Sequence, residues 1–378
     1  MMAMVYLVVT RGRGSLDLYS GRLAKYLRVR KVETTIYQEV SEQFGRSPLS
    51  PRNLRGAFMV YRFVKFLNSI RDIPHLPNHH LGRFAKFLDK PYIITAHDLI
   101  RYFDMLGLGP TLIKRPTLSD SFWLKMDYEG VKGAARIIAP SEYTKGDLVK
   151  YLGIPEWKIS VIHHGVDEEF RPLVGKRPCK EPYILYVGSE QPRKNLGTLF
   201  RAFRLLKERG FEELKLVKVG RSGGEEFRRE TLRLVRALGL ERDVILMGWV
   251  SKEELASYYT QAELFAFPSI YEGFGWPPLE AMACGCPVIS SNSTSMPEVL
   301  GKAAVYVDPM NPEAWCDAME EVLKSDRLRR RLSSYGMARA REFDWRRTAR
   351  ETEKVYREVE EEPIRVGVSR SLREEIKP

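Results

Sequence analysis

Two carboxylates, Glu272 and Glu280, stand eight positions apart in the stretch YEGFGWPPLEAMACGCPVI (271–289), with Gly273, Gly275, Pro277 and Pro278 between them. Proline fits the first turn of a helix, where a missing N–H costs nothing, and glycine lets the backbone approach a ligand closely. The pattern therefore describes a ligand-holding loop that runs directly into a helix over 277–284. The positive end of that helix favours an anionic group. A carboxylate can accept two hydrogen bonds from a vicinal diol, so Glu280, in the first turn, suits a ribose, and Glu272, deeper in the loop, a second polyol.

Arg193 and Lys194 follow the apolar run YILYVG and precede a helix begun by Asn195, which places two adjacent cations where they can meet a diphosphate. Near the start, Gly12 and Gly14 make a partial GxGxxG that has Asp17 at its third position; the loop can still turn amides toward a phosphate or a sugar. His97 and Asp98 close the run YIITA, and His163, His164 and Gly165 close ISVIH. His75, His79 and His80 lie in IPHLPNHH, which reads as a Pro-rich loop without nearby Cys or paired acids, so no metal site is expected. No Asp-x-Asp occurs, and close carboxylates of that kind are what a metal-bridged diphosphate usually requires.

Short apolar runs that alternate with amphipathic stretches must position these groups. Strands are expected at 4–9, 32–38, 92–96, 135–140 and 159–163, then at 183–188, 214–220, 244–250, 264–269, 287–290 and 303–308. Helices are expected at 17–29, 51–68, 119–133 and 142–152 and between the later strands, one of them opened by the capping box Ser251-x-x-Glu254. Such alternation implies parallel sheets with right-handed crossovers. The Pro- and Lys-rich stretch 171–182 divides the chain into two doubly wound, Rossmann-like units. The expected domains are 1–170, binding the acceptor, 171–345, binding the nucleotide sugar, and a C-terminal helix that crosses back to the first domain, with its tail, at 346–378. Ligands of such sheets bind beyond the carboxyl ends of the strands, and every candidate residue above follows a strand.

The chain has 378 residues, 44% hydrophobic and 29% charged, enough for two cores. It has no apolar run of about 18 residues that would span a membrane, and its four cysteines show no pairing pattern, as in a reducing cytosol. The net charge is +12; residues 1–170 hold 25 Lys+Arg against 17 Asp+Glu, the remainder 36 against 32. The excess on the first half suits an acidic partner. In 52–71, Arg55, Arg62 and Lys65 share one helical face while Phe58, Phe63, Phe66 and Leu67 crowd the rest, a pattern that can lie on an anionic membrane. No helix-turn-helix, zinc or ribonucleoprotein pattern supports a nucleic-acid partner.

With these residues in view, EGFGWPPLEAMACGCPVI resembles the E-x7-E signature of the large retaining glycosyltransferase family 4, which has the GT-B fold. ILYVGSEQPRKN, GWVSKEELASYYTQAELFAFPS, PEVLGKAAVYVDP and VIHHGVDEEFRP follow the family order, and the first half matches through TAHD and the Gly12–Gly14 loop. The resemblance implies a GT-B α/β protein of two Rossmann-like domains facing across a cleft. It also implies roles. Glu272 would hold donor-sugar hydroxyls, and Phe274 and Gly275 would add amides. Glu280 would bind the ribose, Arg193 and Lys194 the diphosphate. His97 would contact the reacting sugar, Gly12, Gly14 and Gly188 would line the diphosphate site, and Val250 would touch the base. Many relatives have Arg after the glycine matching Gly188, where Ser189 stands here, and Asn where His164 stands.

The activity so implied is metal-independent, retaining transfer of a hexose from a nucleotide-diphosphate donor, GDP-mannose favoured over UDP-sugars. The acceptor would be a glycan, a lipid-linked molecule or a small molecule bound on the first domain. No cofactor is expected. The location would be cytoplasmic, peripheral at the inner membrane face for a lipid-linked acceptor. A non-catalytic nucleotide-sugar sensor and a sugar-nucleotide epimerase are the alternatives.

Overall fold

The computed structural model describes residues 5–10, 14–34 and 51–361, with side chains from residue 57 onward in the last segment. A first sheet is built from β1 (Val5–Thr10), β2 (Arg30–Thr34), β3 (Ile73–Leu76), β4 (Ile93–Thr95), β5 (Arg136–Ala139) and β6 (Ile159–Val161), in the order β2-β1-β3-β4-β5-β6. Its helices are α1 (Ser15–Tyr26), α2 (Pro51–Ser69), α3 (Gly82–Ala85), α4 (Ile100–Leu106), α5 (Leu118–Gly133) and α6 (Glu142–Leu152). A second sheet contains β7 (Tyr183–Val187), β8 (Lys215–Val219), β9 (Val244–Leu246), β10 (Leu264–Phe267), β11 (Val288–Ser291) and β12 (Ala304–Val307), in the order β12-β11-β10-β7-β8-β9. Around it lie α7 (Leu196–Glu208), α8 (Glu225–Ala237), α9 (Lys252–Gln261), α10 (Trp276–Ala283), α11 (Met296–Leu300), α12 (Pro312–Lys324) and α13 (Asp326–Ala340). Every strand pair is parallel. The apolar runs of β7 and β10 are buried from end to end, as strands covered on both faces must be. The Ser251–Glu254 capping box opens α9.

Strand order reverses between β1 and β3 in the first sheet and between β7 and β10 in the second. At such a switch point the loops leave in opposite directions and open a crevice. Arg193 and Lys194 leave β7 and Glu272 leaves β10, so the reversal brings together residues 78 positions apart.

The stretch IPHL, read above as loop, is the strand β3 beside β1. Its polar residue hides the pattern. His75 is fully buried with both ring nitrogens satisfied: Nδ1 lies 2.6 Å from the Tyr356 hydroxyl and Nε2 2.9 Å from Thr95 Oγ1. Burial, reinforced by His97, pushes its pKa down to about 3, so it packs as a neutral core residue. The helix expected at 17–29 is α1, two to three residues earlier, and α4 has no counterpart in the sequence reading.

A last helix, α14 (Trp345–Glu361), returns to the first domain, where Trp345, Tyr356 and Val359 share a core with Val5, Leu7, Tyr19 and Leu23. Trp345 is 1% exposed and its Nε1 donates to Asp167 Oδ1 at 3.0 Å. Trp345→Ala should therefore cost about 3–5 kcal/mol of stability, read as a lowered urea midpoint.

Candidate functional site

The second domain's crevice is organised around three charges. Lys194 Nζ and Arg193 Nη1 both meet Glu272 Oε1, at 2.6 and 2.9 Å. Lys194 and Glu272 are 7% and 8% exposed. A 3₁₀ turn, Pro192–Lys194, presents the two cations; it ends at Asn195, which adopts φ 55° and ties its amide to Pro268 O at 3.2 Å. Asparagine tolerates that left-handed conformation. Burial alone would raise the Glu272 pKa, but Arg193 and Lys194 overcome it and hold the carboxylate at about 2. One carboxylate cannot neutralise two cations in a dry site. Burial and the Arg193 charge therefore make Lys194 the easier to deprotonate, with its pKa lowered to about 8 despite Glu272. Arg193, Lys194 and Glu272 together sum to one positive charge, and the buried Asp98 carboxyl of the first domain lies near enough to Arg193 to interact with it.

The first domain closes over this cluster. Arg193 N donates to Leu112 O at 2.9 Å, and the Tyr271 hydroxyl donates to Asp147 Oδ2 at 2.5 Å. Gly273 lies so close to His97 that a Cβ there would stand 1.9 Å from its carbonyl oxygen. His97 is 6% exposed, and its Nε2 lies 2.9 Å from Pro77 O. A carbonyl only accepts, so Nε2 carries the proton and Nδ1 offers a lone pair. Burial lowers its pKa to about 4, with the Pro77 bond opposing and His80 adding to the shift, so the ring is neutral near pH 7. Asp98 Oδ1 accepts from Ile100 N at 3.0 Å, just ahead of α4; burial pushes its pKa up, and the Arg193 charge opposes.

Glu280 sits in the second turn of α10, not the first, because the helix starts at Trp276. Gly275 caps it with φ 100°, and a Cβ there would stand 2.2 Å from Met296 Cε. Tyr259 Oη donates to Glu280 Oε2 at 3.3 Å. Burial raises the Glu280 pKa to about 7, with Arg22 opposing and Asp167 adding to the shift. Arg22 comes from α1; it stacks 4.5 Å over Trp276 and meets Asp167 at 2.6 Å, and Lys252 meets the same Asp167 oxygen at 2.7 Å.

Of the residues singled out from sequence, Arg193, Lys194, Glu272, His97, Phe274 and Gly275 converge. Phe274 is buried against His164, with ring centroids 4.8 Å apart. Gly188 ends β7 on the same side, and Val250 is half-buried just before α9. Gly14 caps α1, and its amide donates to Asp17 at 3.2 Å, which engages it within its own turn; Gly12 lies outside the described residues. His80 Nδ1 lies 3.1 Å from Asp127, which also takes Arg83, and among the described residues no group of three or more His, Cys, Asp or Glu side chains is placed to hold a metal ion. Arg22, Lys252 and Asp167 escaped the sequence reading. Asp167 stands in the quoted VIHHGVDEEFRP, but nothing local marks its partners.

Known proteins fit this geometry. Residues 8–170 match the family model "Glycosyltransferase Family 4" and residues 167–339 the model "Glycosyl transferases group 1". The chain belongs to the GT-B glycosyltransferases. It is 30% identical over 240 residues to O-antigen chain mannosyltransferase B of Escherichia coli, covering 61% of this chain and 62% of that one. It is also 30% identical over 272 residues to the serotype-specific mannosyltransferase WbdA of Escherichia coli, covering 68% of this chain and 32% of that one, so it spans less than two thirds of either relative. Sucrose-phosphate synthase from Thermosynechococcus elongatus superposes with TM-score 0.73 at 22% identity, covering 94% of this chain and 98% of that one. Anabaena Alr3699/HepE in complex with UDP-glucose gives 0.74 at 15% identity, covering 94% and 99%. These two establish the fold.

With Glu280 read as the ribose ligand, a diol would donate to its ionised form. Nucleotide binding by this glycosyltransferase should therefore weaken as pH falls through about 7, approaching tenfold per unit, in calorimetric titrations with GDP. Glu280→Gln should flatten that profile. The stability sign is opposite: with its pKa raised on folding, Glu280 contributes most at acid pH, and the contribution is lost as pH rises through about 7.

Proposed function

We propose that the chain transfers a hexose from a nucleotide-diphosphate sugar, GDP-mannose, to a hydroxyl of a glycan or lipid-linked acceptor, with retention and without a metal ion. The observation that carries this reading is the buried Arg193–Lys194–Glu272 cluster at the β7/β10 switch point, two cations on one carboxylate beside the close approach of Gly273 to His97. The mannosyltransferase relatives support the choice of donor.

The diphosphate takes the uncompensated positive charge. Both cations converge on Oε1 of Glu272, and the carboxylate would accept from the sugar's hydroxyls. As the bond from the anomeric carbon to the phosphate oxygen breaks, its electron pair passes to the diphosphate and the sugar gains oxocarbenium character. Arg193, Lys194 and the amides at the start of α10 stabilise the growing negative charge, the main rate term in such a site. The acceptor oxygen bonds on the same face, and its proton goes to the departing phosphate, so no carboxylate need act as nucleophile. Neutral His97 accepts a sugar hydroxyl at Nδ1. The acceptor approaches from the first domain. For a lipid-linked acceptor, an anionic membrane suits the exposed Arg62 and Lys65 with Phe58 and Tyr61 on α2; the side chain of Arg55 lies outside the described residues.

Incubation with labelled GDP-mannose, UDP-glucose and UDP-N-acetylglucosamine tests the reading. Transfer from GDP-mannose should persist in EDTA, give an α-linked product by NMR, and fall by ~10²-fold or more in kcat for Lys194→Ala. An unchanged kcat in both Lys194→Ala and Arg193→Ala, or an inverted product, would overturn it.

A further inference from the structure

Three consecutive carbonyls of the 272–274 loop each accept a side-chain hydroxyl, but not from one domain. Ser295, just before α11, shares its one hydroxyl proton between Glu272 O at 3.0 Å and Phe274 O at 3.1 Å. The Gly273 carbonyl between them is held from the first domain, by Ser141 Oγ at 2.7 Å and Thr144 Oγ1 at 3.3 Å. Both residues are fully buried at the start of α6, where Ser141 Oγ also accepts from Thr144 N at 3.1 Å. Beside them the amides of Glu142 and Tyr143 donate to the Glu298 carboxylate of α11, at 2.9 and 3.3 Å. The N-terminal turn of α6 is thus a clasp seated on the second domain's ligand loop.

The carbonyl and the following amide of a trans peptide point in opposite directions, and no cis peptide occurs among the described residues. Holding Phe274 O therefore aims the Gly275 amide, and holding Gly273 O aims the Phe274 amide. No described residue accepts a hydrogen bond from either amide. The second domain sets the Gly275 donor by itself. The Phe274 donor is set only when the first domain docks.

We propose that Ser141 and Thr144 are positioning residues that complete the donor-sugar side of the cleft on closure, by fixing the Phe274 amide through the Gly273 carbonyl. Donor binds to the open enzyme, and bond cleavage waits for α6. This rests on the reading of the cleft as a glycosyl-donor site.

Ser141→Gly removes the hydroxyl while glycine remains an adequate helix cap. Thr144→Val removes its hydroxyl at nearly constant shape, and Ser141→Thr keeps both functions. Steady-state turnover of GDP-mannose, GDP affinity by calorimetry, thermal unfolding and residue-resolved hydrogen exchange are compared. The double variant Ser141→Gly/Thr144→Val should lose ~10-fold or more in kcat with GDP Kd within about twofold of wild type. Exchange should quicken at the Glu142 and Tyr143 amides, which donate to Glu298 across the same contact, and Ser141→Thr should keep wild-type kcat and exchange. Wild-type kcat and exchange in the double variant would overturn the proposal, as would a kcat loss that only tracks a lowered Tm. If the unaltered protein turns over no GDP-mannose, the donor assignment fails, while the exchange comparison still decides the clasp.

Discussion

The rest of the structure depends on one electrostatic constraint: a buried carboxylate, Glu272, shared by two buried cations. Charges removed from water are costly unless they meet opposite charge in good geometry. Arg193 and Lys194 must therefore arrive at the same oxygen as the sheet reverses direction. The left-handed Asn195, the Pro192 turn and the Leu112 carbonyl that receives the Arg193 amide all hold them there. Because two positive groups share one negative partner, the arrangement is left short of an anion. That deficit suits an anionic group such as a diphosphate.

The two sheets meet through an aromatic seam. His164 packs among Tyr19, Phe274 and Trp276 at centroid distances of 4.6, 4.8 and 5.1 Å, and His97 lies 5.3 Å away. Burial holds both imidazoles well below their usual pKa, so near neutrality they pack as uncharged rings. Asp167 stands at one end of the seam and binds Arg22 of α1, Lys252 of α9 and Trp345 of α14. A single carboxylate thus ties both sheets to the returning helix.

Local pattern carries much of this. The alternation of apolar runs and amphipathic stretches predicts parallel sheets, and the Gly-Pro stretch before Glu280 predicts a loop that becomes a helix. What local pattern lacks is pairing across distance. IPHL does not read as a strand because its histidine is satisfied only by Tyr356, 281 positions away. That Glu272 and Lys194 form an ion pair follows from strand order, which no window of sequence contains. Arg22, with no motif around it, reaches Trp276 and Asp167 only because α1 packs beside α14. The Gly14 amide, expected to face a ligand, is claimed by Asp17, three residues on.

The return of α14 has a bearing on how the molecule is made. Val5, Leu7 and Tyr19 emerge from the ribosome hundreds of residues before Tyr356 and Val359, the groups that cover them. The second domain, whose strands and helices are contiguous from Tyr183 to Ala340, can collapse as a unit during synthesis. The first can gather its other core, from Val8 to Ile159, but the face formed by Val5, Leu7 and Tyr19 stays uncovered until α14 has been made.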